Sequence, residues 1–256
     1  MKPAAPNLES KLGLSTLQIK AVIFDLDGTI VDFNIDFKAA RTEVVHLLDQ
    51  QDLSSSLLSV NESVFVTLKK VEKHMKENGK KEQEFVKLKK KVMAIVEHYE
   101  AKAARETNLT PGILETLKTL RKMKLKIGLF TANGEKSTTH ILGRFNLRRL
   151  FDAIITRESV SAVKPDPTHL ETALKTLKVK PEEAIVIGDS VRDMECARQL
   201  KVLAVGVTTG FSSVEELTRA GADYLASLST DIPRLVQHLT GKSKNIEGDE
   251  KWNCTS

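Results

Sequence analysis

The chain has 256 residues, 41% of them hydrophobic, which is enough for one large or two modest domains with a buried core. No apolar run approaches the ~20 residues needed to cross a bilayer, and the N-terminal residues lack the continuous apolar stretch of a signal peptide. The two cysteines form neither a disulfide framework nor a metal-binding spacing. We therefore expect a cytoplasmic protein with no membrane partner.

The positive charge of the chain is concentrated in one segment. The net charge is +5 at pH 7, and residues 66–105 hold 12 Lys and Arg against 6 Glu. This surplus fits either a solvated helical face or a surface that attracts anionic small molecules. Because aromatic residues are scarce and do not alternate with the basic ones, we expect no nucleic-acid partner.

The predicted elements begin with a short buried strand at residues 19–24, followed by a helical segment. Beyond Asp32 the apolar residues recur at helical spacing, so residues 36–105 are predicted to form helices with a small core of their own. The three predicted apolar faces are Phe37, Ala40, Val44 and Leu48; Val60, Val64, Leu68, Val71 and Met75; and Phe85, Leu88, Val92, Ile95, Val96 and Tyr99.

From Pro111 onward, predicted strands alternate with predicted helices, a pattern typical of a parallel α/β sheet. The strands are predicted at 126–133, where the strand runs into a loop, and at 151–156, 184–189, 202–207 and 223–226. The helices are predicted at 113–123, 136–145, 167–177, 190–200, 214–220 and 232–239.

These patterns predict an α/β protein with a Rossmann-like parallel sheet core and an inserted all-helical cap domain. The core is assigned to residues 1–32 and 107–241, and the cap to residues 33–106. The polar tail, residues 242–256, is predicted to be disordered.

Acidic or small polar residues directly follow three of the predicted strands. Asp25 and Asp27 follow the first strand, Thr131 follows KIGLF, and Asp189 follows AIVIG. Ligands of open parallel sheets bind beyond these carboxyl ends. Residues two apart in an extended segment point the same way, so Asp25 and Asp27 can reach one site, and Gly28 lets the backbone turn just after them.

Clustered carboxylates repel one another and need a cation, a shared proton, or both. Asp189 and Asp193 are four residues apart and share one face of a predicted helix. Oxygen ligands without a nearby His or thiolate suit Mg²⁺. The pattern therefore predicts a Mg²⁺ cofactor near Asp25.

Four motifs in this chain resemble those of the haloacid dehalogenase superfamily of phosphohydrolases. They are DLDGT (25–29), FTANG (130–134), the lysine of VKPDP (163–167) and GDSVRD (188–193), and they follow the family's order. The helical insert after the first motif resembles the subclass with an α-helical cap. The stretch DLDGTIVDFNIDFKAAR is most similar to phosphoglycolate phosphatase-like members.

The resemblance implies roles for four aspartates. Asp25 would be the nucleophile that forms an aspartyl-phosphate. Asp27 would protonate the leaving oxygen, then activate water, and its backbone carbonyl would also bind the metal. Asp25 and Asp189 would be metal ligands, and Asp193 would either bind the metal directly or orient a metal-bound water or Lys164.

The resemblance also implies which residues hold the transferred phosphoryl group. Thr131 and the amides of Ala132 and Asn133 would bind it, and Lys164 would offset negative charge beside Asp25. In the cap, Arg41 is a candidate contact for a carboxylate or second phosphate of the substrate, or else a surface arginine.

The implied activity is Mg²⁺-dependent hydrolysis of a phosphomonoester. The expected partner is a small anionic phosphorylated metabolite such as phosphoglycolate. Phosphomutase, pyrophosphatase and a non-catalytic binding protein of the same fold are the alternatives, and the sequence does not specify the oligomeric state.

Overall fold

The computed structural model describes residues 17–32, 35–51, 53 and 58–241. The chain divides into two compact units, which we call the α/β unit and the helical unit. The α/β unit comprises residues 1–33, 108–132 and 145–256, and the helical unit comprises residues 34–107 and 133–144. The predicted disordered tail at 242–256 lies outside the described residues.

The α/β unit contains a six-stranded sheet in the order β3-β2-β1-β4-β5-β6, in which every neighbouring pair is parallel. The α/β prediction is therefore confirmed. The strands are β1 (Ala21–Phe24), β2 (Lys126–Phe130), β3 (Ala153–Ile155), β4 (Ala184–Gly188), β5 (Leu203–Val207) and β6 (Tyr224–Ala226). The helices of this unit are α4 (Ile113–Lys122), α6 (Thr168–Leu177), α7 (Val191–Leu200), α8 (Val214–Ala220) and α9 (Asp231–Leu239).

The central strands β1 and β4 are buried along their whole length, as expected for parallel strands covered on both faces. Phe24 at the end of β1 pairs with Leu129 of β2 and with Ile187 of β4. This register brings the carboxyl ends of the three strands to one edge of the sheet. The residues that follow them, Asp25, Thr131 and Asp189, therefore begin from neighbouring positions.

The helical unit contains α1 (Phe37–Asp49), α2 (Val64–Glu77), α3 (Glu82–Glu106) and α5 (Glu135–Arg144). Its core is built from the predicted apolar faces and consists of Val44, Leu48, Val64, Leu68, Val71, Phe85, Leu88, Val92 and Val96. The prediction for Val60 is wrong. Ser63 caps α2 by accepting a hydrogen bond from the Phe65 backbone, so Val60 precedes the helix and is 37% exposed.

Helix α5 follows β2 in the chain but groups with the helical unit. The buried carboxylate of Glu100 on α3 accepts hydrogen bonds from the Gly134 backbone (3.1 Å) and the Ser137 hydroxyl (3.3 Å). At the other end of α5, Arg144 donates to the carbonyl of Thr107 (2.6 Å). Because Glu100 places negative charge at the N-terminus of α5, it also complements the helix dipole.

Candidate active site

The centre of the site is a buried lysine between two aspartates. Lys164 Nζ lies 2.5 Å from Asp25 Oδ1 and 2.5 Å from Asp193 Oδ1. The side chains of Lys164 and Asp193 are 3% and 0% exposed. At such burial neither charge can be hydrated, so each charged group is stabilised by its ion-pair partner instead of by water. The ammonium also lies 4.3 Å from the centroid of the Phe130 ring, which attracts it further.

Three carboxylates of the α/β unit converge on the same place. One oxygen from each of Asp25, Asp189 and Asp193 lies within 4.8 Å of the others, and all three residues are buried. When they are ionised, the single positive charge of Lys164 leaves an excess of two negative charges. The cluster therefore suits a divalent cation, which would offset that excess and bind through oxygen atoms alone.

The end of β1 delivers Asp25 to this cluster. The Asp25 backbone donates a hydrogen bond to the Ile187 carbonyl of β4 (2.9 Å), which extends the ladder by one residue beyond the strand. The carbonyl of the buried Leu26 accepts hydrogen bonds from the backbones of Ile30 (2.8 Å) and Val31 (3.0 Å), so the chain turns directly after Asp25. Gly28 has φ +75°, and a Cβ atom there would overlap the Asp189 carboxylate. Glycine is required at this position for both reasons.

The loop after β5 fixes the carboxylate of Asp189. The Phe211 backbone donates to Asp189 Oδ2 at 2.7 Å, and the Ser212 backbone donates to the Asp189 carbonyl at 3.2 Å. A Cβ atom on Gly210 would overlap the Asp189 side chain. The loop can approach so closely only because residue 210 is glycine.

Asp193 is oriented by the start of its own helix, α7. Its Oδ2 atom accepts hydrogen bonds from the Ser190 backbone (3.1 Å) and the Ser190 hydroxyl (2.6 Å). Its Oδ1 atom is thereby left to face Lys164. A Cβ atom on Gly188 would lie 2.5 Å from Asp193 Cβ, so this glycine gives Asp193 its space.

The cluster shifts the pKa values of its members. Burial raises the pKa of Asp25 well above its usual range, Lys164 opposes that shift, and Asp193 adds to it. Burial, with a contribution from Asp193, raises the pKa of Asp189 to about 6. For Lys164, burial favours the neutral amine, but Asp193 and Asp25 together raise its pKa above the usual value. The lysine is therefore charged at neutral pH.

Thr131 and Ala132 lie on the loop that follows β2. Thr131 is 1% exposed, and its backbone donates to the Ile155 carbonyl of β3 (2.9 Å). The Ala132 carbonyl accepts a hydrogen bond from Arg157 Nη1 (3.1 Å). These bonds fix the loop backbone at the carboxyl edge of the sheet, where the sequence predicts phosphate binding.

The structure does not place three of the predicted site residues in the carboxylate cluster. Asn133 and Arg41 belong to the helical unit, and Asp27 is not in the group of three carboxylates. Asn133 is buried, and the Arg41 guanidinium lies 5.7 Å from the centroid of the Phe37 ring. Their predicted substrate contacts stay predictions. The Asp27 carboxylate is only partly buried and does not belong to the group within 4.8 Å. The predicted acid–base role of Asp27 therefore stays a prediction.

Sequence reasoning did not single out several residues that shape the site: Ser190, Phe211, Arg157 and His169. Ser190 carries a detectable signal, because Ser three residues before Asp is a helix capping pattern. Phe211 and Arg157 act on backbone groups distant in the sequence, so no local pattern reveals them.

Comparison with known proteins assigns the chain to a family. The profile of the haloacid dehalogenase-like hydrolases matches residues 22–207, which is well over half of the chain. The chain therefore belongs to the haloacid dehalogenase-like hydrolase family.

Similar proteins carry several names. A phosphoglycolate phosphatase of Nitrosospira multiformis is 25% identical over 86% of this chain and 97% of its own length. The pyrophosphatase PpaX of Bacillus mycoides is 25% identical over 88% of this chain and 100% of its own length. The crystal structure of a hydrolase from Pseudomonas syringae has a TM-score of 0.65 at 29% identity, covering 86% of this chain and 98% of that one.

Within the described part of the chain, no helix combines the length and the apolar character that crossing a membrane would require.

Proposed function

We propose that this protein is a Mg²⁺-dependent phosphatase that hydrolyses a small anionic phosphomonoester through an aspartyl-phosphate on Asp25. The observation that carries the proposal is the buried ammonium of Lys164, held 2.5 Å from Asp25 and 2.5 Å from Asp193. An aspartate can attack a phosphate dianion only where positive charge offsets the repulsion between them. A salt bridge with a purely structural role would not need a third carboxylate. The presence of Asp189 in the same cluster therefore favours a site that binds a metal ion and a substrate.

The first half of the proposed reaction transfers the phosphoryl group to the protein. A carboxylate oxygen of Asp25 attacks phosphorus, and the bond between phosphorus and the leaving oxygen breaks. Asp27, protonated at this stage, gives its proton to the leaving alkoxide. Lys164 and the backbone amides of the Thr131 loop stabilise the charge on the transferring group.

The second half returns the protein to its starting state. Asp27, now a carboxylate, takes a proton from a water molecule, which attacks phosphorus. The bond between phosphorus and the Asp25 oxygen breaks, and inorganic phosphate and the Asp25 carboxylate result. Dividing the hydrolysis in this way replaces one difficult step with two easier ones.

The residues present fit a Mg²⁺ ion. Asp25, Asp189 and the backbone carbonyl of Asp27 would hold it, with Asp193 acting through water or through Lys164. When bound, the ion supplies positive charge that offsets the repulsion between the attacking carboxylate and the phosphate. The donor set supports this assignment, since the three clustered carboxylates are all oxygen ligands and carry two more charges than Lys164 balances.

The proposed substrate class is a small phosphorylated metabolite with a second negative charge, such as phosphoglycolate. The relative from Nitrosospira multiformis carries the name phosphoglycolate phosphatase. Pyrophosphate is the second candidate, because the relative from Bacillus mycoides is a pyrophosphatase. The basic surplus of residues 66–105 supports an anionic substrate in either case. We further propose that the protein works in the cytoplasm.

Phosphate release from a panel of compounds tests the proposal. The panel contains phosphoglycolate, other small phosphomonoesters, sugar phosphates and pyrophosphate, each with Mg²⁺ and with EDTA. Wild type is compared with Asp25→Asn, which is nearly the same size but cannot attack phosphorus, and with Asp27→Asn. We expect Mg²⁺-dependent release that both substitutions reduce by at least about 10³-fold.

The panel also separates the candidates. Preference for pyrophosphate over all monoesters would select the second candidate. Release that persists in folded Asp25→Asn would reject the aspartyl-phosphate, and no release from any compound by folded wild type would reject the phosphatase itself.

A further inference from the structure

A fully buried histidine lies within hydrogen-bonding distance of the backbones of Lys164 and Ile155. His169 lies on α6 and is 0% exposed. Its Nδ1 atom is 3.3 Å from the backbone nitrogen of Lys164, and its Nε2 atom is 3.3 Å from the carbonyl oxygen of Ile155. One ring thus bridges the segment that carries the site lysine and the last residue of β3.

These partners determine the state of the ring. A backbone N–H can only donate, so Nδ1 must accept from Lys164. A carbonyl can only accept, so Nε2 must carry the hydrogen that is donated to Ile155. Burial, and secondarily the nearby Lys164 ammonium, lower the pKa of His169 to about 4. The ring is therefore neutral at pH 7, as both hydrogen bonds require.

The Ile155 carbonyl has a second donor, which brings the loop after β2 into the same network. Thr131 donates its backbone N–H to this oxygen at 2.9 Å. The His169 ring also packs edge-on against Phe130, with centroids 5.5 Å apart, and Phe130 in turn lies beneath the Lys164 ammonium. His169 therefore contacts the strand end before Thr131 and the backbone of Lys164 together.

We propose that His169 is a positioning residue that holds Lys164 and the Thr131 loop at a fixed separation, so that the ammonium meets Asp25 and the phosphoryl group at once. The inference rests on the proposed function, which gives Lys164 and Thr131 their roles. An apolar side chain of the same size would fill the space but would remove the acceptor for the buried Lys164 N–H.

Three variants separate this role from simple packing. His169→Phe keeps an aromatic ring against Phe130 and loses both hydrogen bonds. His169→Asn places an amide oxygen where Nδ1 accepts from Lys164, so it can restore that bond. Leu174→Ala, five residues further along α6, removes packing from the buried cluster that contains Phe130 and Ile155, and it removes no hydrogen bond to Lys164 or Thr131 because a leucine side chain makes none.

We expect His169→Phe to lower kcat about tenfold, which corresponds to the loss of the one hydrogen bond that positions Lys164. KM should change less than kcat, because accurate placement of the ammonium matters most in the transition state. His169→Asn should recover most of kcat, and Leu174→Ala should lose stability but keep kcat. A kcat within twofold of wild type in His169→Phe, or His169→Asn as impaired as His169→Phe, would overturn the inference.

The state of the ring can be read without any turnover. In ¹⁵N-labelled wild type at pH 7, long-range ¹H–¹⁵N spectra should identify one histidine with hydrogen on Nε2 only, which is absent from the spectrum of His169→Asn. Hydrogen on Nδ1, or a doubly protonated ring, would also overturn the inference. Inactive wild type would reject the proposed function, whereas active wild type with fully active His169→Phe would reject only the role of His169.

Discussion

Replacing Lys164 by Met should destabilise the α/β unit strongly. Met fills most of the space but leaves Asp25 and Asp193, 7% and 0% exposed, without the ammonium that lies 2.5 Å from each. Removing one partner of a buried ion pair costs about 3–5 kcal/mol, because the remaining charge stays buried without compensation. We expect a loss of this size at pH 7.5.

Urea unfolding in the presence of EDTA measures the effect, since the chelator prevents a divalent cation from replacing the lysine. Lys20→Met is the matched control. Its ion pair with Glu183 has the same 2.5 Å separation, but the two side chains are 54% and 17% exposed. Exposed pairs contribute little, so the control should unfold close to the wild-type urea midpoint.

The pH dependence gives a second check on the same variant. Burial already raises the pKa of Asp25, and loss of Lys164 removes the main influence that opposes this shift. In the variant Asp25 should therefore take up a proton more readily than in wild type, and the destabilisation should be smaller at pH 5 than at pH 7.5. A Lys164→Met variant within about 1 kcal/mol of wild type at pH 7.5 would refute the reasoning.

Three further predictions concern separate features. Gly188→Ala should displace Asp193, whose Cβ lies 2.5 Å from the new methyl position, with a loss of about 1–3 kcal/mol in urea unfolding and weaker Mg²⁺ binding by calorimetry. Glu100→Ala removes the buried acceptor for the Gly134 N–H, so urea unfolding should show a loss of about 1–3 kcal/mol. The pKa of His169 is lowered to about 4 in the folded protein, so at this residue the unfolded state binds more protons than the folded state between pH 6.5 and 4. On acidification over this range, wild type should therefore lose up to about 3 kcal/mol relative to His169→Asn.

The first two of these predictions each have a control variant within the chain. Gly143→Ala adds the same methyl group to α5 where nothing lies within 4 Å, and it should stabilise rather than destabilise. Glu97→Ala, one turn before Glu100, removes an exposed pair with Lys136 and should leave the urea midpoint unchanged. Equal losses of unfolding free energy in a variant and its matched control would contradict the reasoning. So would a pH dependence of the unfolding free energy that is the same in wild type and in His169→Asn.

Much of the fold could be predicted because its signals are local. The alternation of apolar runs and helical spacing from Pro111 onward predicts the parallel sheet, and the register of Phe24 against Leu129 and Ile187 explains why polar residues after those strands meet. Asp25, Asp189 and Lys164 were predicted as site residues, and they do lie together. The prediction for Val60 is wrong because Ser63 caps α2 and the helix begins at Val64, despite the apolar spacing that includes Val60.

The features that could not be predicted depend on contacts between distant segments. Helix α5 is joined to α3 by hydrogen bonds from Gly134 and Ser137 to the buried carboxylate of Glu100. In the sequence, Glu100 cannot be distinguished from the other charged residues of a long basic helix. His169 shows no metal-binding spacing with another histidine, so its bridge between Lys164 and Ile155 appears only once α6 is folded against β3.

The central claim is that Asp25 becomes phosphorylated during turnover. Rapid mixing of Asp27→Asn protein with Mg²⁺ and an aryl phosphate such as p-nitrophenyl phosphate should accumulate the acyl phosphate. The aryl leaving group departs without the proton of Asp27, whereas the variant lacks the base that activates water for the second step. Quenching with borohydride reduces an aspartyl-phosphate to homoserine, which peptide mass spectrometry locates. We predict homoserine at position 25, and none in Asp25→Asn or without substrate. Phosphate release with no reduced residue at position 25, under conditions that trap a known aspartyl-phosphate, would contradict the account.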